Sequence, residues 1–484
     1  MHPVQHHQQH DWETVRARFQ QIWGYPDFRP PQGEIVRSLL DGQDALVVMP
    51  TGGGKSICFQ LPALLQQGLT LVISPLVALM ENQVQELRSR HLPAASLHSE
   101  VPTFQRRQTL QHLDRLRLLY LSPETLLTPP VWEKLCHPAL QINGLILDEA
   151  HCLVQWGDTF RPAYRRLGAV RPALLQHKPA GSQMAIAAFT ATADPHAQKT
   201  IRQVLQLQHP QQFLINPYRK NLALSVKTVW TPRGRRQALR RFIRERTGKA
   251  GLVYVRTRRD SEELASWLTQ QGHRTVGYHA GLGPQERRQI EADWIDGRIP
   301  FVICTSAFGM GINKPDVRWV VHFHAPTLLS EYVQEVGRGG RDGKLAEALT
   351  LISERTGLLD SEDKQRQKFF RDRQTTLIRK AQRLAHQLPK SGEVTQVARE
   401  FKDGAIALSL LHSLGQLHWR DPFHYTIRSS KATKPSIPSG NLTIEPYLHT
   451  SDCRWQYLMR AFGFEQEAKR LRCGKCDRCQ RSHR

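Results

Sequence analysis

Ala45-Leu46-Val47-Val48-Met49-Pro50-Thr51-Gly52-Gly53-Gly54-Lys55-Ser56 carries an apolar strand into three glycines, a lysine and a serine, and Ile57 onward reads as helix. A buried strand, a glycine turn and a helix N-terminus make an anion site, because loop N–H groups and the helix dipole converge on a phosphate. Thr51, Gly52, Gly53 and Gly54 line that loop; Lys55 is placed for the β and γ phosphates of ATP and the Ser56 hydroxyl for Mg²⁺. The general pattern starts with a glycine six residues before the lysine, where this chain has Met49. The strict pattern fails, yet the strand–glycine–helix context that gives it meaning survives. The loop indicates a nucleoside triphosphate and is silent on what its energy is used for.

Outward from the loop, between about Asp41 and Leu207, the apolar runs ALVVM, TLVIS, LRLLYLS, NGLILDE and MAIAAFT alternate with helical stretches. Continuous apolar strands of this length predict a parallel sheet covered on both faces, with ligands at the carboxyl ends of the strands. The glycine loop, Asp148-Glu149 and Thr190-Ala191-Thr192 all fall at such ends. The pattern restarts near Gly251 with GLVYV, TVGYHA, FVICTS, WVVHFH and ALTLIS, a second α/β domain without a phosphate loop; TPRGRR between the two reads as a linker into a basic helix. The expected division is residues 1–218 for the first, ATP-binding domain, 219–355 for the second, 356–440 for a helical or winged-helix-like segment and linker, and 441–484 for a cysteine module.

The length, 484 residues, fits more than one domain, and 67 Lys and Arg against 43 Asp and Glu leave a formal charge of +24. That excess favours a polyanion, most simply nucleic acid. The basic runs Arg233–Arg246 and Lys364–Arg383 have helical spacing and read mostly as solvated faces. No run reaches the apolar length of a membrane span, and the start MHPVQHHQQH lacks the apolar core of a signal peptide. A membrane partner is not expected, and the expected location is the cytoplasm, at the nucleoid if the source is bacterial.

Asp148-Glu149-Ala150-His151 closes the strand GLIL. Adjacent carboxylates at a strand end allow a division of labour: Asp148 holds Mg²⁺ through water, and Glu149 orients and deprotonates the attacking water. In the second domain, Gln334-Glu335-Val336-Gly337-Arg338-Gly339-Gly340-Arg341-Asp342-Gly343 brings two arginines, Arg338 and Arg341, within three residues. Phosphoryl transfer needs positive charge where the transition state develops it, and an arginine from another domain can supply it. A cleft that closes on ATP and opens after hydrolysis follows.

Cys58, Cys136, Cys152 and Cys304 are isolated and read as reduced core residues. Cys453 is followed by nineteen residues and then by Cys473-Gly-Lys-Cys476-Asp-Arg-Cys479. Four thiolates at this spacing suit a closed, structural Zn²⁺ site, with disulfides as the alternative.

Taken together, these motifs resemble the RecQ family of DNA helicases, in helicase superfamily 2, over roughly residues 19–355 plus the cysteine module. MPTGGGKS, Met49 included, is that family's own form of the phosphate loop. GYPDFRPPQ resembles its adenine-recognition element, which implies that Tyr25 stacks on the base, Gln32 reads its edge and Arg29 supports them. SPLVALMENQV, YLSPETL, DEAH, AFTATA, YHAGL, TSAFGMGINKPDVRWVVHF and QEVGRGGRDG follow in the family's order. HCLVQWGDTFRPAY resembles the aromatic-rich loop, so Trp156 and Phe160 would stack on unpaired bases beside Arg161, and Ser74, His279 and Thr305 would contact DNA phosphates. Three positions depart from the family: Asp158-Thr159 in place of His-Asp, Gly339 in place of alanine, and Arg256 in place of asparagine.

The resemblance implies two tandem RecA-like domains and a zinc module. The activity it implies is ATP- and Mg²⁺-dependent 3′–5′ translocation on single-stranded DNA with unwinding of forked duplexes, in repair and recombination, by a monomer. The stretch 391–427 between core and zinc has a helix–turn–helix–strand–turn–strand pattern that fits a compact winged-helix-like module, a helical spacer being the alternative. Two other readings stay open: an RNA helicase, against which the aromatic-rich loop and the four cysteines argue, and a non-enzymatic DNA-annealing or architectural protein.

Overall fold

The computed structural model describes residues 11–154, 161–309, 312, 314–354, 356, 358–428 and 442–481. Trp156, Phe160 and the Asp158-Thr159 departure lie outside the described residues, as do the N-terminal histidines and the SSKATKPSIPSG stretch. The first sheet contains β1 (Ala45–Val48), β2 (Leu69–Ile73), β3 (Ala94–Leu97), β4 (Leu118–Leu121), β5 (Ile142–Leu147), β6 (Ala185–Thr190) and β7 (Gln211–Leu214). Its order is β3-β4-β2-β5-β6-β1-β7, and every pairing is parallel. The strand period of two explains the continuous apolar runs. Ala45 and Val47 enter one buried cluster with Ile35, Phe59 and Phe189, whereas Leu46 and Val48 enter another with Leu71, Ile186 and Tyr164. β3 and the edge strand β7 escape the apolar-run criterion: AASL is short and weakly apolar, and QQFL is largely exposed.

The second sheet contains β8 (Leu222–Val229), β9 (Gly251–Tyr254), β10 (Thr275–Tyr278), β11 (Phe301–Cys304), β12 (Trp319–His322) and β13 (Ala346–Ser353), in the order β10-β11-β9-β12-β13-β8. β8 begins before the stretch read as a linker and pairs with β13 along its whole length, from Leu222↔Ala346 to Val229↔Ser353. Its polar alternation, as in Ser225, Lys227 and Thr228, hides it from a search for continuous apolar runs.

Beyond β13 a 24-residue helix, Glu362–Ala385, carries the chain away from the second sheet. At its start the fully buried Arg235 is tied to Asp360 at 3.2 Å and Asp363 at 2.8 Å, so this part of the basic run is structural. The helix leads into β14 (Ser391–Glu393), helices Val394–Glu400 and Gly404–Ser413, and a hairpin of β15 (Leu417–Trp419) and β16 (His424–Ile427). The three strands form an antiparallel sheet with β16 in the middle, a winged-helix-like arrangement. Trp419 and Tyr425 oppose each other across the hairpin and are both buried. Phe423, beside the hairpin turn, packs edge-on against Trp132, and Pro422 accepts a hydrogen bond from Arg166 at 3.2 Å, so the unit docks on the first domain.

The cysteine module packs on the other side of the second sheet. Trp455, Leu458 and Phe462 share a core with Leu222, Leu224, Tyr332 and Val336, and Trp455 Nε1 donates to the Leu222 carbonyl at 3.0 Å.

Candidate nucleotide site between two α/β domains

Four adjacent strands, β2, β5, β6 and β1, end side by side, with Ile73 opposite Leu147 and Val48 opposite Thr190. That register sets the glycine loop, Asp148 and Thr190–Thr192 at one edge. Gly52 and Gly54 adopt φ of +85° and +80°, which a side chain would resist. A Cβ on Gly53 would stand 2.7 Å from Met49 Cγ and Sδ. Met49, 2% exposed, thus lies packed under the loop it begins. Lys55 Nζ donates to the Met49 carbonyl at 3.2 Å and opens the helix Lys55–Leu65 together with Ser56.

The adenine element lies against this loop. Gln32 Oε1 accepts from the Arg29 N–H at 2.9 Å while its Nε2 donates to the Gly53 carbonyl at 2.9 Å. Tyr25 is 47% exposed, and Arg29 is exposed as well. These three residues and the loop fit a nucleotide: an open ring for a base, an amide for its edge and a cradle for phosphates.

Asp148 is buried, accepts from the Glu149 N–H at 3.0 Å and lies 3.5 Å from Gln83 Nε2. Burial, with Glu149 alongside, pushes its carboxyl up to about 6. Glu149 sits at φ +53°, a left-handed backbone that side chains other than glycine rarely adopt. Burial would raise its carboxyl too, but His151, Lys55 and Arg338 hold it down to about 2, and its Oε2 lies 3.1 Å from His151 Nδ1. The pair therefore has two unlike carboxylates at one strand end. Mg²⁺ would be held by Ser56 and Asp148, both oxygen donors as that ion requires.

The second domain closes the site. A Cβ on Gly52 would stand 3.7 Å from Arg341 Cγ, and one on Gly337 3.6 Å from Thr51 Oγ1. Gln334, on the helix Leu329–Val336, donates across the cleft to His151 at 3.1 Å and Thr192 Oγ1 at 3.2 Å. Arg338 donates to the Gly309 carbonyl and Arg341 to that of Ile312, yet the Nε of each is buried without a partner. Burial, with Arg338 adjacent, lowers Arg341 to about 10. A Cβ at Gly339 would crowd Ala346 at 3.2 Å and Leu222 at 3.3 Å, so close packing accounts for glycine there.

The residues assigned to DNA fall into two groups. Arg161 Nη1 donates to the carbonyl of Pro75, next to Ser74, and its guanidinium pairs with Glu124. In the second domain Thr305 N–H donates to the Tyr278 carbonyl, next to His279, whose Nε2 lies 2.8 Å from Glu262. The side chains of Ser74 and His279 are buried. Two partners lacked any assignment in the sequence. Gln334 stands inside the quoted QEVGRGGRDG motif, but Arg219, which donates to the carbonyls of Gly337, Gly339 and Gly340, carried no signal at all.

At the C-terminus the sulfurs of Cys453, Cys473, Cys476 and Cys479 all lie within 4.8 Å of one another, with Cys476–Cys453 at 3.9 Å and Cys473–Cys479 at 4.0 Å. Zn–S bonds of about 2.3 Å in a tetrahedron put sulfurs about 3.8 Å apart, so the thiol set fits zinc. All four cysteines are free thiols in this structure. Arg454 buttresses the site through paired bonds of 2.9 Å to Asp477.

Residues 29–201 match the DEAD/DEAH box helicase model and residues 234–343 the helicase conserved C-terminal domain. The chain is 51% identical to the ATP-dependent DNA helicase RecQ of Synechocystis over 474 residues, 97% of this chain and 98% of that one. This protein belongs to the RecQ family. The probable ATP-dependent DNA helicase RecS of Bacillus subtilis is 39% identical over 68% of this chain and 65% of its own length. Among solved structures, the DUF1998 helicase MrfA bound to DNA superposes with a TM-score of 0.60 over 86% of this chain and 62% of its own. At 16% identity that likeness concerns the fold alone.

Proposed function

We infer that this protein is an ATP-dependent DNA helicase of the RecQ type, coupling ATP hydrolysis to movement along single-stranded DNA and separation of the duplex. One observation carries the chemistry: Arg341 and Gly337 abut the phosphate loop at Gly52 and Thr51, so one nucleotide touches both domains. ATP with Mg²⁺ supplies the phosphoryl group and the counter-charge for in-line transfer to water. Lys55 would hold the phosphates, Asp148 and Ser56 would hold the ion, and Glu149, ionised, would orient the attacking water and accept its proton. Arg338 and Arg341 place positive charge where the transition state needs it. Gln32 exchanges its bonds to Arg29 and Gly53 for the adenine edge, and Tyr25 stacks on the ring. We assign DNA phosphates to the regions of Ser74 and Arg161 in the first domain and His279 and Thr305 in the second, and unpaired bases to Trp156 and Phe160. Movement runs 3′ to 5′ on forked substrates, as a monomer, with a structural Zn²⁺ on Cys453, Cys473, Cys476 and Cys479.

Opening a base-pair step costs on average about 1.4 kcal/mol, within reach of a cycle driven by ATP. The deciding experiment compares ATPase stimulation by single-stranded DNA and RNA, and unwinding of a fork with a 3′ or a 5′ tail. Stimulation by DNA and unwinding from the 3′ tail are expected. Stronger stimulation by RNA, or unwinding by Lys55→Ala, would sink the reading.

A further inference from the structure

Arg256 follows β9 and has no part in the assignments above. Its guanidinium is buried, with Nη2 donating to Glu335 Oε2 at 2.8 Å and Nε to the His324 carbonyl at 3.2 Å. The same Glu335 oxygen lies 2.9 Å from Nε2 of His322, whose Nδ1 is 3.2 Å from Thr350 Oγ1. Against burial, Arg256 and His322 hold the Glu335 carboxyl down to about 2. Arg256, just beyond β9, and His322, at the end of β12, thus converge on one residue of the helix Leu329–Val336, with Thr350 of β13 behind His322.

That helix is an element through which the second domain meets the first at the nucleotide site proposed above. Gln334, next to Glu335, reaches His151 and Thr192 of the first domain, and the chain runs directly on to Arg338 and Arg341. On its other side, Arg256 leads within two residues to Arg258. A Cβ on Gly281 would stand 2.7 Å from the Arg258 guanidinium and 3.1 Å from His279 Nδ1. Arg256 therefore joins the segment assigned to DNA phosphates to the helix that presents arginines to ATP. A planar, buried arginine–carboxylate pair has a narrow range of workable geometries, so it suits the transmission of position.

We propose that Arg256 is a positioning residue for DNA-coupled ATP hydrolysis, setting the helix Leu329–Val336 through Glu335 so that DNA engagement places Arg338 and Arg341 at the nucleotide. The proposal rests on the helicase reading. It is tested by steady-state ATPase with and without oligo(dT), together with thermal midpoints, for wild type, Arg256→Met, Arg256→Lys and the double variant Arg256→Met/Glu335→Leu. Arg256→Met is expected to lower kcat with DNA about tenfold while KM for ATP stays within about twofold, because phosphate binding resides in the first domain. Arg256→Lys should recover part of the loss. The double variant leaves no unpaired buried charge and should regain thermal stability without regaining kcat; it carries the comparison if Arg256→Met does not fold. A wild-type kcat in Arg256→Met, a raised KM in place of a lowered kcat, or recovery of kcat together with stability in the double variant overturns the proposal. A wild-type ATPase indifferent to DNA would instead overturn the helicase reading.

Discussion

Lys55 and Glu149 show how little of the site's chemistry depends on the stability of the fold. The Lys55 ammonium donates to one loop carbonyl, so its loss removes charge from the phosphates and few contacts from the core. Lys55→Ala should lower ATPase by about 10²–10³ and shift the thermal midpoint by no more than about 2 °C, as ATPase assays and calorimetry would show. Glu149→Gln keeps shape and backbone but cannot take a proton. Hydrolysis should fall by about 10²–10⁴ while nucleotide still binds, measurable with a fluorescent ATP analogue; unaltered turnover would remove Glu149 as the base. Met49 is different in kind: its side chain lies under Gly53, where a longer residue at 53 would strike it.

At the scale of elements, the winged-helix-like unit differs from a free DNA-reading module. Its helix Gly404–Ser413 buries Ala407, Leu408, Leu410 and Leu411 against its neighbours, so it offers no exposed face of base-reading side chains there. His412 on that helix is pushed down to about 4 by burial and by Arg165 and His418. An unfolded histidine titrates near 6.5, so the folded unit binds a proton less readily. Its stability is fully present above about pH 6.5 and declines as pH falls toward 4. Amide protection factors over 391–428, taken relative to the intrinsic exchange rate at each pH, should be smaller at pH 5 than at pH 7, and His412→Gln should flatten that difference. The cysteine module makes a second prediction, since Cys476 is buried beside the core that holds Trp455 against β8. Elemental analysis should find about one zinc per chain in the wild type, and Cys476→Ser should abolish it and red-shift tryptophan fluorescence, because metal binding and folding of such modules are one event.

For the whole molecule, electrostatics and the cleft dominate. A formal charge of +24 makes the proposed affinity for nucleic acid depend on counterion release. Binding of single-stranded DNA should weaken at least tenfold between about 50 and 200 mM salt, read by fluorescence anisotropy; a flat salt response would contradict phosphate contact. Across the cleft, Arg288 meets Glu81 at 3.1 Å, but that arginine is 60% exposed. Such a pair contributes about 0–1 kcal/mol and cannot lock the domains. Among the described residues no helix is long and apolar enough to cross a membrane.

The phosphate loop, the DEAH carboxylates, both arginines and the four cysteines were legible in the chain because each chemistry demands fixed residue types at short spacing. Long apolar runs likewise revealed the buried parallel strands. β8 went unseen because it alternates polar and apolar residues, and β7 because it lies exposed at an edge. Arg219, Gln334 and Arg256 act through partners scores of residues away, and no local pattern encodes such a distance. The Met49-to-Ser56 run thus announced a nucleotide on its own, whereas the contact of Gly52 with Arg341 exists only once two separate sheets are packed together.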